Sequence, residues 1–425
     1  MGKKPFISIV NQYFNRFPFR KINIALEPSK DLKIIVVIPS YNEENIQPTI
    51  DSLFLKQDDF SFNVEVIVLI NNSESEINQI KEQNLLTLKK LQNLSKTYNK
   101  SNIHLIPVLI GDLDSKHAGV GWARKLGMDL ATQRFRTINF NGIIVGLDAD
   151  TIVESNYFNS IYSFFLNNNF KAASIHFEHP ISGDSFSEVQ LNQIIYYELH
   201  LRYYKNSMKY SNLPYSFHTI GSAFALTASA YARQGGMNRR KAGEDFYFIN
   251  KLIKGEIFGE INDTKVIPSP RISDRVPFGT GRAILEGLNS QKDLSVTYDF
   301  QCFEIINSWI NSIENKDFNY ENFPTTLKAY MDYEKWIKHH TMMLNNTNSH
   351  KSYLKLFYNI FDAFWMLKFI HFLRDNYYPN TSLLENTNTL LVKIGYPTMG
   401  NVTSQLGFFR KLDKKRGKSP LSNLY

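Results

Sequence analysis

The chain has 425 residues, 43% of them apolar and 14% aromatic, which excludes a disordered protein and allows one large domain plus an appendage. Its single cysteine, Cys302, excludes an intrachain disulfide and a thiolate-rich zinc site and fits a reducing compartment. The formal net charge of +8 gathers partly at Arg410, Lys411, Lys414, Lys415, Arg416 and Lys418, where a solvated tail and an anionic-membrane contact are equally good readings; with no nucleic-acid motif nearby, nucleic acid is not the expected partner.

Residues 1–30 read as an N-terminal extension in which Asn11, Gln12 and Asn15 interrupt the apolar run too early for a signal peptide. From Lys33 onward, short β-branched runs alternate with helical patterns. Lys33–Pro39, Asn63–Ile70, Ile103–Ile110 and Gly142–Leu147 predict buried strands, with helices over about 44–56, 75–98 and 119–134 between them. That alternation predicts a mainly parallel sheet flanked by helices, an α/β fold with right-handed crossovers. Lys171–His179 and Phe217–Thr227 predict further strands, 188–209 a tyrosine-rich helix, and Glu244–Lys254 a short helix. Beyond about residue 300 the chain reads as helical with no clear strand, and Trp309, Trp336 and Trp365 sit at the spacing of a packed core. The division expected is a main domain over 31–290 and a helical accessory region with a basic tail over 291–425. Leu354 to Leu373 is the best membrane-span candidate, but Lys355, Asn359, Asp362, Lys368 and His371 make a buried or interfacial helix the better reading, and the protein is expected in the cytoplasm.

Asp148-Ala149-Asp150 follows the apolar run Ile143–Leu147. Ligands of open parallel sheets bind beyond the carboxyl ends of the strands, and two carboxylates there suit a hard divalent cation that also holds phosphate oxygens. The first strand ends in Pro39-Ser40-Tyr41-Asn42-Glu43-Glu44, which starts a helix and also puts a ring and carboxylates at the same edge. Lys116 and Arg124 flank the Gly119-Val120-Gly121 turn, where they can offset phosphate charge. His117 reads as a surface or hydrogen-bonding histidine. Gly243-Glu244-Asp245-Phe246, after Gly235-Gly236-Met237-Asn238, offers a helix-capping acid pair or a general base for an acceptor hydroxyl. Arg271, Arg275 and Arg282 surround the Gly279-Thr280-Gly281 turn, which reads equally as an ordinary charged loop or as a loop that closes over a diphosphate.

In this order, from about Lys33 to Arg282, these segments resemble the family-2 glycosyltransferases of the GT-A, nucleotide-diphospho-sugar transferase fold. The resemblance implies a nucleotide-sugar donor and an inverting transfer to a sugar or lipid-linked acceptor hydroxyl, commonly in cell-surface polysaccharide or glycolipid assembly. By the same resemblance, Pro39, Tyr41, Glu43, Asn71, Lys116, Gly119, Arg124 and Asp148 bind the nucleotide sugar. Asp148 and Asp150 hold Mg²⁺ or Mn²⁺, Asp245 is the base with Glu244 beside it, and Arg275 and Arg282 belong to a phosphate loop. Asn71-Asn72 stands where many members carry an Asp-Asp pair that reads the base, and Lys125 adds a charge near the presumed phosphates. The Gln-x-x-Arg-Trp motif of processive synthases is missing. The tyrosine-rich helix around Tyr197 and Tyr204 either lines the acceptor cleft or packs against the domain. Other readings of the same residues are a retaining or nucleotide-moving enzyme and a silent sugar- or nucleotide-binding module that recruits a partner.

Overall fold

The computed structural model describes residues 5–116, 118–238, 243–274 and 279–415. Its main sheet has eight strands: β1 (Leu32–Ser40), β2 (Asn63–Ser73), β3 (Ile103–Leu113), β4 (Ile143–Gly146), β5 (Thr151–Val153), β6 (Ala172–Phe177), β7 (Phe224–Thr227) and β8 (Phe258–Pro268). The order across the sheet is β3-β2-β1-β4-β7-β6-β8-β5. The four strands from β3 to β4 run parallel, β7 is antiparallel to both neighbours, and β5 pairs antiparallel with β8. The α/β architecture read from the alternating pattern is therefore the observed one. Its parallel half consists of the β-branched runs that the sequence makes obvious, because helices cover both faces and every side chain there can be apolar.

The helices up to residue 255 are α1 (Phe6–Arg16), α2 (Gln47–Phe54), α3 (Asn78–Tyr98), α4 (Val120–Thr137), α5 (Tyr157–Asn167), α6 (Glu188–Tyr210), α7 (Ala228–Arg233) and α8 (Glu244–Gly255); the site draws on α2, α3, α4 and α8. Helix α4 lies on β1 and β2, and Gly127 is what allows it so close: a Cβ there would come within 2.5 Å of Val37 Cγ1. A larger residue at 127 would lift α4, and with it Arg124, off the sheet.

The chain divides into two compact units. One takes the chain up to Pro180 and again from Thr219 to Arg282, and contains the sheet. Helix α1 belongs to it: Tyr13 on α1 donates to Asp129 on α4 (2.6 Å) and accepts from Lys125 (2.7 Å), while Tyr231 of α7 donates to the same Asp129 (2.7 Å). The N-terminal segment is thus built into the sheet unit.

The other unit joins Ile181–His218 to Ala283–Asp413, so α6 groups with the C-terminal helices and not with the sheet. Trp309 and Trp336 are fully buried there, and Trp309 meets Phe357 and Phe361 edge-on. Tyr203 donates to the Tyr298 carbonyl (2.9 Å), and Tyr204 packs its ring on Tyr298 and Phe303, both within this helical unit. A two-stranded ribbon, Val296–Thr297 with Thr381–Ser382, adds a strand where none was expected. The basic C-terminal segment is also partly structural. Phe409 is fully buried, and Arg410 forms a two-point ion pair with the buried Glu198 (2.8 and 2.6 Å), leaving Lys411 exposed. Residues 416–425 lie outside the described residues. No single helix among the described residues is long and apolar enough to cross a membrane; the span candidate is two helices, His350–Ile360 and Ala363–Asn376, bent by 62°.

Candidate active site

The Asp148-Ala149-Asp150 turn leaves the carboxyl end of β4 and is fixed by its backbone. The Leu147 N–H donates to Val37 O on β1 (3.1 Å), and the Thr151 N–H donates to Asp148 O (3.2 Å). From α2, the buried Thr49 hydroxyl donates to Ala149 O (2.9 Å). Three elements therefore hold the turn while both aspartate side chains stay partly exposed, at 36% and 26%.

Arg124, in the second turn of α4, is only 3% exposed, and its guanidinium bridges Asp148 and the buried Glu244 of α8. Gly221 lies flat against that guanidinium, and a Cβ built there would overlap it. Burial works against the Arg124 charge, but Asp148, Glu244 and Asp245 outweigh burial and hold its pKa well above the ordinary arginine value. Three carboxyls share one cation, so the cation is well served and the acids are not. Glu244 is raised, first by burial and further by Asp245 and Asp148, against the pull of Arg124. Asp245 is raised too, again mainly by burial with Asp148 adding to it, although Arg124 and the Phe246 N–H (2.7 Å) favour its anion. Gly243 opens α8 at φ 69, a left-handed conformation that glycine adopts without penalty, and so brings both acids into the first turn.

A second arginine serves the other aspartate. Arg271, in the irregular stretch after β8, donates to both carboxylate oxygens of Glu43 (2.8 and 2.6 Å), and its Nε lies 2.7 Å from Asp150. Burial opposes its charge, and Glu43 with Asp150 reverses that and raises its pKa. Glu43 is 1% exposed on the turn after β1. That turn is steered by Asn84 of α3, whose Oδ1 accepts from the Asn42 N–H (2.8 Å) and whose amide NH₂ donates to Asn71 O (3.2 Å) and to Asn72 Oδ1. Asn42 sits at φ 48, which asparagine tolerates better than most residues.

The structure thus brings Glu43, Arg124, Asp148, Asp150, Glu244 and Asp245 together, with Arg271 and Gly221 as further members. Pro39 lies in β1 beside the turn, and Asn71 is buried at the end of β2. The Tyr41 hydroxyl donates to Glu76 (2.9 Å). Lys116 is exposed, Gly119 caps α4, and Arg282 is half-buried in the first turn of the helix Thr280–Leu288. His117 and Arg275 lie outside the described residues. Lys125 corrects an expectation: it is buried against Tyr13 and Asp129 on the α1 side of α4, because residues adjacent on a helix point about 100° apart. Sequence reading gave no role to Thr49, Asn84 or Gly221; the only signal for Gly221 is a glycine opening the small-residue run Gly221-Ser222-Ala223.

Among the described residues no three histidine, cysteine or acidic side chains are placed to hold a metal ion together. Two carboxylates on one tight turn nevertheless fit a cation of the Mg²⁺ or Mn²⁺ kind, which takes one or two protein carboxylates and fills its shell with water and substrate phosphate. Among the described residues the local charge agrees: the ion pairs of the site set five carboxyls against two guanidinium groups.

Residues 35–233 match the family model described as glycosyl transferase family 2. No curated protein matches the chain. Among solved structures, the chain is similar to Staphylococcus aureus TarS 1-349 in complex with UDP-GlcNAc, at 16% identity over 80% of this chain and 89% of that one, with a TM-score of 0.39. The same protein in complex with UDP gives 15%, 80%, 89% and 0.38, and TarS 1-349 alone gives 14%, 67%, 79% and 0.37. The matched segment is a little under half of the chain and runs from within β1 through β7, the Asp148-Ala149-Asp150 turn included, so the likeness to glycosyl transferase family 2 falls on the sheet and the site.

Proposed function

We propose that this chain transfers a sugar from a nucleotide-diphosphate donor to an acceptor hydroxyl with inversion at the anomeric carbon. The observation that carries the reading is the meeting of the Asp148-Ala149-Asp150 turn with the Glu244-Asp245 helix start around Arg124, inside a family-2 domain. The two acids of α8 divide the work. Glu244 is 2% exposed and tied to Arg124, so it positions the guanidinium and cannot reach a substrate. Asp245 keeps partial exposure and has a raised pKa, which suits a base that must accept the proton of an attacking hydroxyl. Asp150 and Asp148 would hold Mg²⁺ or Mn²⁺; bound there, the cation supplies charge neutralisation to the departing diphosphate. Arg124 pairs with Asp148 and draws Asp245 by its charge, Glu43 anchors Arg271, and the partly exposed Tyr41 on the same turn would meet the nucleoside.

The test is slow donor hydrolysis across UDP-, GDP- and dTDP-sugars, with and without Mn²⁺, beside Asp150→Ala. Metal-dependent release of one nucleoside diphosphate, lost in the variant, supports the reading. If turnover requires an acceptor, calorimetry with the free nucleoside diphosphates replaces it. Lack of any binding would move the assignment to a silent module.

A further inference from the structure

Arg271 and Arg124 both neutralise an aspartate of the same turn, yet they are built differently. Arg124 is almost fully buried, backed by Gly221 and ringed by carboxyls, so it cannot leave without stranding buried acids. Arg271 keeps 30% of its side chain exposed and reaches Asp150 through one edge only, at 2.7 Å. Its other edge is held by both oxygens of Glu43, which is buried and cannot follow it outward. The backbone beneath it is braced, since the Ser273 N–H donates to Gly281 O (3.3 Å) and a Cβ on Gly281 would come within 3.0 Å of Arg271 O. Arg271 is thus a guanidinium with a fixed stem, one permanent partner and one exchangeable partner.

A divalent cation on Asp150 and a guanidinium at 2.7 Å from the same carboxylate repel each other, so the two compete for it. A diphosphate offers that guanidinium a better acceptor, because paired phosphate oxygens match its planar fork. We propose that Arg271 is an exchangeable counter-ion: it holds Asp150 when no donor is bound and turns about Glu43 to the donor diphosphate when a divalent cation takes Asp150. This rests on the reading of Asp150 as a metal ligand. It makes cation and nucleoside diphosphate bind cooperatively, with the cation alone held weakly because it must first displace Arg271.

The experiment is calorimetric titration of Mn²⁺, and separately of UDP and GDP in saturating Mn²⁺, into the full chain and its Arg271→Lys, Arg271→Gln and Asp150→Asn variants. Affinity for Mn²⁺ alone should rise in the order Arg, Lys, Gln, by roughly tenfold or more at Gln, because a competing charge is removed from a partly exposed carboxylate. Affinity for the nucleoside diphosphate in saturating Mn²⁺ should fall by roughly tenfold in Arg271→Gln, since the phosphate loses its guanidinium. Should Arg271→Gln fail to fold, the lysine variant carries the comparison, because its single ammonium cannot serve Glu43 and Asp150 together. Unchanged or weaker Mn²⁺ binding in the folded variants would overturn the exchange, while Asp150-dependent Mn²⁺–nucleotide binding in the parent would leave the metal reading standing. No Mn²⁺ binding in any protein would overturn both.

Discussion

Arg124→Gln takes away the cation that, among the described residues, pairs with both Asp148 and Glu244. Glu244 is 2% exposed, so its anion would be left inside the domain with two like charges near it and no ion-pair partner among the described residues. Breaking a buried ion pair from one side costs about 3–5 kcal/mol. The variant has an escape, because Glu244 can take up a proton. Its pKa is already raised by burial, and loss of Arg124 raises it further. Holding that proton costs about 1.4 kcal/mol for each pH unit above the new pKa. The folded state binds this proton more tightly than the unfolded chain does. The stability it contributes is therefore fully present below the ordinary glutamate value and is lost as the pH climbs through the raised folded value.

The gap between parent and variant must then widen with pH: small near about pH 5, and approaching the full cost of the stranded anion near about pH 9. At about 2–4 °C per kcal/mol for a domain of this size, the first melting transition should fall by roughly 10 °C at the alkaline end. The assay is a melting series of both proteins across that range at constant ionic strength. A pH-independent loss, or one that shrinks as the pH rises, would refute the placement of Glu244 as a buried, under-served acid.

Gly221→Ala should displace the Arg124 guanidinium by overlap, destabilising the domain by about 1–3 kcal/mol and weakening metal-dependent nucleotide binding together; calorimetry beside melting checks both. Asp245→Asn should keep donor binding and lose roughly 10²–10⁴-fold in kcat, as removal of a base does; in the parent, the acid limb of the pH–rate profile should lie above the ordinary aspartate range, because burial raises Asp245. Asn84→Ala removes the acceptor of the Asn42 N–H and should cost about 1–3 kcal/mol, raising the donor KM more than it lowers kcat.

The parallel half of the sheet is legible because β1, β2 and β4 are buried on both faces and so carry unbroken apolar runs over 34–38, 66–70 and 143–145. β8 was invisible for the opposite reason: Asn262-Asp263-Thr264-Lys265 interrupts it, and its burial alternates. Phe217–Thr227 reads as one strand, but only Phe224–Thr227 joins the sheet, since the preceding stretch is needed where Gly221 meets Arg124. Of the site, the acid pairs could be read directly, because two carboxylates in a short span stand out in any sequence. The arginines could be named as basic residues near a phosphate. Their carboxylate partners could not be named: Arg124 and Glu244 are 120 positions apart, and Arg271 and Glu43 are 228 apart. Only strand order brings such pairs together.

The start of α8 shows how little sequence is needed for two different acids. Adjacent residues on a helix point about 100° apart, so Glu244 and Asp245 cannot face the same neighbour. One is directed into the domain, where Arg124 receives it; the other stays at the surface of the cluster, close enough to Arg124 to feel its charge and open enough to meet a substrate. Gly243, at φ 69, sets where the helix begins and hence which acid goes where. A one-residue shift of that start would bury Asp245 and expose Glu244. The backbone turn at 243 therefore does as much as the two carboxyls themselves to decide which acid is buried against Arg124 and which stays partly exposed.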